Sequence, residues 1–537
     1  MTPPLRRSGP FVTSLRRLAL ACLALLFATA ASAEVVYDRG NSGEPETLDP
    51  HLVSTVQEAN LMRELFEGLT AHDGRADVVP GVAERWEVSD DGRTWVFTLR
   101  PDARWSNGDP VTAEDFAFSL RRILDPSFAA KYANLLYPIL NAEKVNKGEA
   151  PREALGVVAR DARTLEIRLE RPTPYFLELL THQTTYPVHR ASVERFGRDW
   201  LKPGRMVTNG AYRLAENLPN DHIRLEKNPF FHAASEVAID VVNYVPLEDR
   251  GAALRRFQTG EIQSYDDVPA EQIAFIRRTL GDQLRIAPYV GVYYYAVNVR
   301  KAPFSDPRIR RALSMALDRE FIADKVWAGT MLPAYGWVPP GFDGYAPVEA
   351  SWRAMSQLER EDAASALLKQ AGYGPGAKRL EVEIRYNSSE NHQNTATAIA
   401  DMWKAIGVST RLINSDGKTH FAHLQNGGDF DVARAAWIAD YRDPQNFLFL
   451  GLSDNVGFNY PGWKSPPYDA LVKASDDIAD PAARLATLGK AEAILVDEQP
   501  MIPILFYASK ALVSHRLKGW EDNVMDIHPT RYLRLEP

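Results

Sequence analysis

Apolar and polar positions change period several times along this chain, and each period predicts an element. Glu58 to Leu69 places Leu61, Leu65, Phe66 and Leu69 at helical spacing, with Gly68 near the end. Two alternating apolar runs, one reaching Val88 and one from Thr94 to Leu99, flank Asp90-Asp91-Gly92-Arg93. Asp-Gly between such runs predicts a β-hairpin. Residues 157–169 read as a second hairpin. Trp105-Ser106-Asn107-Gly108-Asp109-Pro110 is a turn, and Thr112 with Asp115 three residues on caps a helix from Ala113 to Leu124. Val35 to Tyr37 and Asp240 to Val245 are strands, and Asn209-Gly210-Ala211-Tyr212 opens a further β region. Leu254 to Gly260 is a short helix, and Tyr289 to Asn298 is a β-prone run rich in Tyr and Val. Asp306-Pro307 starts a helix from Arg308 to Leu317, and Glu320 to Trp327 continues helically.

The second half alternates between the two periods. Residues 360–371 and 394–406 are helical, and Arg379 to Tyr386 and Val408 to Ile413 are strands. This β-α-β order indicates an α/β domain with a mixed or parallel sheet. Ala482 to Val496 is an amphipathic helix, Met501 to Tyr507 a buried strand, and Gly519 to Pro537 an irregular tail. Between them lies Asp431 to Pro444. Val432 to Ile438 is small or apolar except for Arg434 and reads as a short buried strand. Asp440, Tyr441, Arg442 and Asp443 follow, and Pro444 forces a turn. A strand thus delivers Arg434, Trp437 and Asp440 to one region. A carboxylate at a strand end can receive a cation, or can simply cap the turn or pair with Arg442.

Composition narrows the class. The 537 residues allow two to four domains, and 45% apolar with 25% charged residues is ordinary for a globular protein. A formal charge of −8 gives no reason to expect a nucleic-acid partner. Arg6, Arg7, Arg16 and Arg17 precede the 11-residue apolar run Leu18 to Ala28, too short to span a bilayer, and Ala31-Ser32-Ala33 is a cleavage pattern. The chain is therefore expected to be exported with cleavage after Ala33. That removes four arginines and no acids, shifting the charge to −12, and takes away the only cysteine, Cys22. The remaining chain is expected to be soluble and free of disulfides.

No catalytic constellation emerges: there is no G-x-S-x-G, P-loop, G-x-G-x-x-G after a strand, or H-E-x-x-H. His420 and His423 would share a helix face, as a metal pair or as plain polar surface residues. The 11 Trp and 21 Tyr stand out, because these side chains combine apolar area with one polar handle and suit a varied ligand. Tyr132, Tyr289, Tyr293, Tyr294, Tyr295, Trp437 and Trp463 are candidate lining residues or core.

Three ordered motifs carry a family resemblance. Pro80 to Leu120, running from P-G-V-A-E-R-W to A-E-D-F-A-F-S-L, resembles the signature of family 5 solute-binding proteins of ABC importers. Pro303 to Leu313 with Ala316-Leu317-Asp318-Arg319 resembles a second family motif, and Thr208 to Tyr212 a third. Leu48-Asp49-Pro50-His51, Pro333 to Gly336, Tyr386 to Ser389 with His392, and Asp431 to Pro444 resemble the oligopeptide-binding members.

The resemblance implies an α/β fold of two lobes and three domains, with mixed sheets flanked by helices and hinge closure over the ligand. It places residues 34–66, 192–290 and 508–537 in one discontinuous lobe, 67–191 in an extra domain, and 291–507 in the other lobe. Asp440 would hold a peptide's α-ammonium. Ser54, Thr55 and Val56, and Ala436 to Ile438, would flank the peptide backbone as strands, a β-augmentation that leaves side-chain identity free. Arg434 and His392 would meet the C-terminal carboxylate, and Tyr132, Tyr289, Tyr294 and Trp437 would line the site. Two basic positions of close relatives are Trp327 and Gln425 here, and a cysteine pair is replaced by Gly291 and Ile438. The expected function is periplasmic capture of oligopeptides for the permease subunits of an ABC importer in the inner membrane. The protein would act as a monomer, without cofactor, metal or catalysis. Murein peptides, dipeptides, opine-like compounds or a nickel chelate are the alternative ligands.

Overall fold

The computed structural model describes Met1 and residues 34–536, apart from 270–271, 375–376 and 456. The targeting segment expected over residues 1–33 lies, Met1 excepted, outside these.

The hairpin around Gly92 forms as the pattern requires. Strands Ala83–Val88 and Thr94–Leu99 pair antiparallel, and Gly92 takes the left-handed φ of 67° that the turn needs. Thr164–Arg168 and Val157–Ala159 extend them into a four-stranded sheet. The helix Ala113–Ile123 packs beside this sheet, its start fixed by a capping box in which Asp115 Oδ2 accepts the Thr112 amide at 2.8 Å.

Eleven of the described strands form one large mixed sheet. Leu380–Asn387 and Val408–Ser415 run parallel, joined by the helix Glu390–Ala405, which buries Ile399 and Trp403. This is the β-α-β unit read from periodicity. Next comes Val432–Ile438, parallel to Leu380–Asn387, and then Leu284–Val297 and Met501–Val513, each antiparallel to the strand before it. Beyond them the sheet continues through Ser264–Tyr265, Val36–Asn41, Val241–Pro246, His222–Lys227 and Tyr212–Leu218. Tyr293, Tyr294, Tyr295, Trp337 and Trp403 are fully buried in the main core.

Several boundaries move. The first helix is Val56–Leu65, not a run to Leu69, because Phe66 turns extended and closes the last turn through its amide to the Met62 carbonyl. Ser54 to Val56 is no strand: the Ser54 and Thr55 amides both donate to Glu58 Oε2, and Val56 begins the helix. Leu284–Val297 and Met501–Val513 are longer than their apolar runs, because each supplies the other's ladder partners. In the tail, Arg534–Leu535 pairs with Leu517–Lys518, a ladder too short to leave a pattern. Among the described residues no helix is long and apolar enough to cross a membrane.

Candidate functional site

The strand Val432–Ile438 has the predicted ends, and only one of its edges is fully used. Along Leu284–Val297 it pairs from Val432 to Ile438. Toward Leu380–Asn387 it pairs only at Val432 and Ala433. Backbone groups alternate sides along a strand. The Arg434 carbonyl points outward, where it accepts from His420 Nε2 at 2.8 Å. The Ala439 amide points inward to the Val290 carbonyl at 2.9 Å. By alternation, the backbone groups of Ala436 and Ile438 face the outer edge, where no described strand pairs with them.

Two cavities, of about 520 and about 340 Å³, meet at the end of this strand and share Tyr132, Trp437 and Asp440 as walls. The larger is walled by Leu135, Tyr137 and Tyr175 on one side and Phe449, Leu452 and Phe458 on the other. The smaller is walled by Ser54, Thr55, Val56 and Arg63, by His182 and Tyr289, and by Ile438. Tyr175 stacks on Tyr441 at 4.8 Å, closing the far wall.

Asp440 is the carboxylate that the two cavities share. Among the described residues no cation pairs with it. Burial pushes its carboxyl up to about 7, and a hydrogen bond with Asn446 pulls the other way. Burial, with the Asp440 charge adding to it, raises the Tyr132 phenol. Asn446 Oδ1 accepts both the Asp440 amide at 3.0 Å and the Trp437 indole at 2.9 Å. The Trp437 ring is then fixed edge-on against Phe449 and Phe458, at 5.4 and 5.2 Å. A carboxylate held in low dielectric without a counterion favours a cationic partner or a proton.

Arg434 lies three residues before Trp437, on the opposite face of the strand. It is 6% exposed, donates to Asn387 Oδ1 at 3.0 Å and Tyr507 Oη at 3.1 Å, and lies 4.8 Å over the Tyr293 ring. Its Nε is buried without a described partner. His392 Nδ1 is 3.4 Å from Tyr293 Oη. Burial and the Arg434 guanidinium push His392 down to about 3, so it is neutral at physiological pH. Neither residue lines the two cavities.

A profile described as "Bacterial extracellular solute-binding proteins, family 5 Middle" matches residues 77–459. The chain belongs to this family. It is 39% identical over 486 residues to the "Periplasmic oligopeptide-binding protein OppA" of Escherichia coli, covering 90% of this chain and 89% of that one. It is 38% identical to the "Periplasmic murein peptide-binding protein MppA" of the same organism, covering 89% of each. The structure of Haemophilus influenzae OppA in complex with RPPGFSPFR superposes with a TM-score of 0.80 at 34% identity, covering 94% of this chain and all of that one. The two-lobed α/β fold of periplasmic binding proteins is thereby shown.

Within this family frame, the predicted site residues separate into three groups. Asp440, Trp437, Ile438, Tyr132, Tyr289, Ser54, Thr55 and Val56 converge on the cavities. Arg434 and His392 cluster farther along the strand around Tyr293. Tyr294 joins neither: it is 1% exposed and packs edge-on against Trp337 at 4.8 Å, on the core face of its strand. Ser54, Thr55 and Val56 wall the cavity as a helix start rather than a strand, because Glu58 takes the amides that strand pairing would use.

Other sequence readings are sharpened. Asp440 and Asp443 do not pair with Arg442, which reaches Asp77 and Asp343. Asp443 instead takes Arg484 through both carboxylate oxygens. His420 is fully buried rather than on the surface, and His423 donates to the Asp429 carbonyl. Among the described residues no group of three or more His, Cys, Asp or Glu could hold a metal. Trp327 is buried against Tyr293 and donates to Thr395 Oγ1, whereas Gln425 is exposed. Gly291 and Ile438 are direct partners across the two strands. Sequence reasoning missed Asn446 and Arg63. Asn446 follows the turn with no periodic signal, and Arg63 reads as an ordinary polar position on an amphipathic helix.

Proposed function

We propose that this chain captures oligopeptides in the periplasm and delivers them to the permease subunits of an ABC importer in the inner membrane. The observation that carries the reading is Asp440, a half-buried carboxylate with no cation paired to it among the described residues, beside the open strand edge at Ala436 and Ile438. A peptide's α-ammonium supplies the missing charge, and its backbone pairs with the open edge. Binding through main-chain groups leaves the side chains to the aromatic cavities, which suits a varied peptide. The relatives named for oligopeptide and murein peptide binding agree with this. Arg434, the cation on the same strand, is the group suited to a carboxylate at the far end of the ligand, with His392 beside it as a neutral hydrogen-bonding group.

The chain works as a monomer that catalyses nothing, exported by removal of residues 1–33. Closure takes place between a lobe formed by 34–66, 192–290 and 508–537 and a lobe formed by 291–507, with 67–191 as an extra domain. Both lobe boundaries fall inside paired strands, and the Leu284–Val297/Met501–Val513 ladder shifts register between Pro288 and Val292. A ladder irregularity is a natural place to bend.

Calorimetry with a free tripeptide and its N-acetyl form tests the reading. The acetylated peptide is expected to bind at least 100-fold more weakly; equal affinities would refute ammonium capture.

A further inference from the structure

The smaller cavity holds a second charge that ammonium capture does not use. Val56, Ala59 and Arg63 lie at helical spacing on the helix Val56–Leu65 and together wall this cavity. Leu61, Met62 and Leu65, on the other side of the helix, are fully buried and fix it against the core. The helix therefore presents Arg63 toward the space where the ligand's amino end would sit.

Arg63 is a poorly partnered cation. Among the described residues its one hydrogen bond is Nη1 to Asn60 Oδ1, at 3.3 Å. Asn60 in turn donates to Asp266, which keeps that carboxylate one residue removed. Among the described residues no carboxylate forms an ion pair with Arg63. Burial pulls its guanidinium below the ordinary value, with neighbouring phenols opposing the shift and Arg39 adding to it.

Among the described residues, none of the other charged groups at the cavity pairs with it. Asp526 lines the cavity as well, accepts from His528 Nε2 at 3.0 Å and forms no ion pair with Arg63. His182 is pushed down to about 3 by burial and by Arg63 itself, and so is neutral. Asp440 also lines this cavity and is itself unpaired. A guanidinium carries five N–H donors in a planar fork, and most of those on Arg63 are uncommitted. A desolvated charge of this kind is unfavourable until a counterion arrives.

We infer that Arg63 is a specificity-determining residue that binds a ligand carboxylate held close to the amino end on Asp440. The cavity then selects a zwitterionic arrangement, ammonium on one wall and carboxylate on the other. Two sources supply that chemistry: an acidic side chain near the start of a longer peptide, or the α-carboxylate of a dipeptide. The inference rests on the peptide-capture reading and deepens it.

The test has two arms. In the first, calorimetry compares Ala-Glu-Ala-Ala with Ala-Gln-Ala-Ala, so that the terminal groups cancel. In the second, it compares Ala-Ala with Ala-Ala-amide. Wild type is expected to prefer the acidic member of at least one pair by about tenfold or more, as a charge-assisted fork should. The arm that shows the preference identifies the source. Arg63→Met is expected to bring that ratio to one, and Arg63→Lys to keep part of it. Thermal unfolding of each variant checks that the fold is intact.

No acid preference in either arm of wild type would overturn the inference. So would a loss in Arg63→Met that falls equally on acidic and amide ligands, which is what a structural arginine would give. N-acetyl-Ala-Gln-Ala-Ala separates the two readings. If acetylation weakens binding and no acid preference exists, the Arg63 inference fails alone. If acetylation changes nothing, or no peptide binds, the capture reading fails and takes the inference with it.

Discussion

Asn446 holds Asp440 from its own strand end: its side-chain oxygen accepts the Asp440 amide at 3.0 Å while also accepting the Trp437 indole at 2.9 Å. One 1%-exposed amide thus fixes both the carboxylate and the aromatic wall beside it. It also supplies the one interaction that works against the rise in the Asp440 carboxyl.

Asp440→Asn should weaken binding of a free-N-terminus tripeptide by roughly 10²- to 10³-fold, since losing one member of a buried charge pair costs about 3–5 kcal/mol. The fold should survive, because among the described residues no cation pairs with this carboxylate. Calorimetry showing unchanged affinity would remove Asp440 from the site.

The same carboxyl sets a pH dependence of stability. Its folded value, about 7, lies above the ordinary carboxylate range, so the folded state holds the proton more tightly than the unfolded chain. The stabilising contribution of the protonated form is complete below about pH 4 and is lost as pH rises through 7. Ligand-free wild type should therefore fall below Asp440→Asn in Tm as pH goes from 4 to 8. A gap of about 1–3 °C at pH 8 is expected. Parallel curves in scanning calorimetry would contradict this.

Peptide affinity should follow the opposite limb. The ammonium needs ionised Asp440, so affinity should climb as pH rises toward 7, with a proton released on binding. It should fall again above about pH 8, where a peptide's α-amine loses its charge. Titrations in buffers of different ionisation enthalpy read that proton directly, and a flat profile from pH 5.5 to 9 would exclude the coupling.

Asn446→Ala should lower affinity by about 10- to 100-fold, because it leaves two partly buried donors unpaired and frees the Trp437 ring. It should also move the rising limb of the affinity profile to higher pH, since the opposing hydrogen bond is gone. A drop in affinity with the midpoint unmoved would assign Asn446 to packing alone.

Gly291→Cys with Ile438→Cys should form a disulfide when the protein is exported. The two residues are direct partners, and the outward-facing backbone of Ile438 makes theirs a non-hydrogen-bonded pair. Such pairs have Cα atoms about 4.5 Å apart, within the disulfide range. Gly291→Cys alone should be destabilising, because its Cβ would lie 2.4 Å from Ile438 Cδ1. Mass and Tm with and without reductant check both outcomes.

The sequence by itself determined what short-range physics controls. The strand Val432–Ile438, the Asp90–Arg93 hairpin, the Thr112–Asp115 cap and the β-α-β unit after Arg379 all follow from periodicity, turn residues and capping within a dozen positions. Asp440 and Trp437 were legible as candidates because they end such a strand, and the ordered motifs supplied the family. Tertiary structure alone decided which candidates meet. Tyr294 and Trp437 both looked like lining aromatics, yet one packs into the core and the other walls the cavities. Ser54 and Thr55 looked like a pairing strand, yet Glu58 takes their amides. Arg63 and Asp440 are far apart in the chain and line one cavity, and Asn446 reaches back across a turn to fix the carboxylate. Local pattern reports which face of an element is apolar. Which charges are left without partners depends on every element packed around them, and that is settled only when the chain has closed.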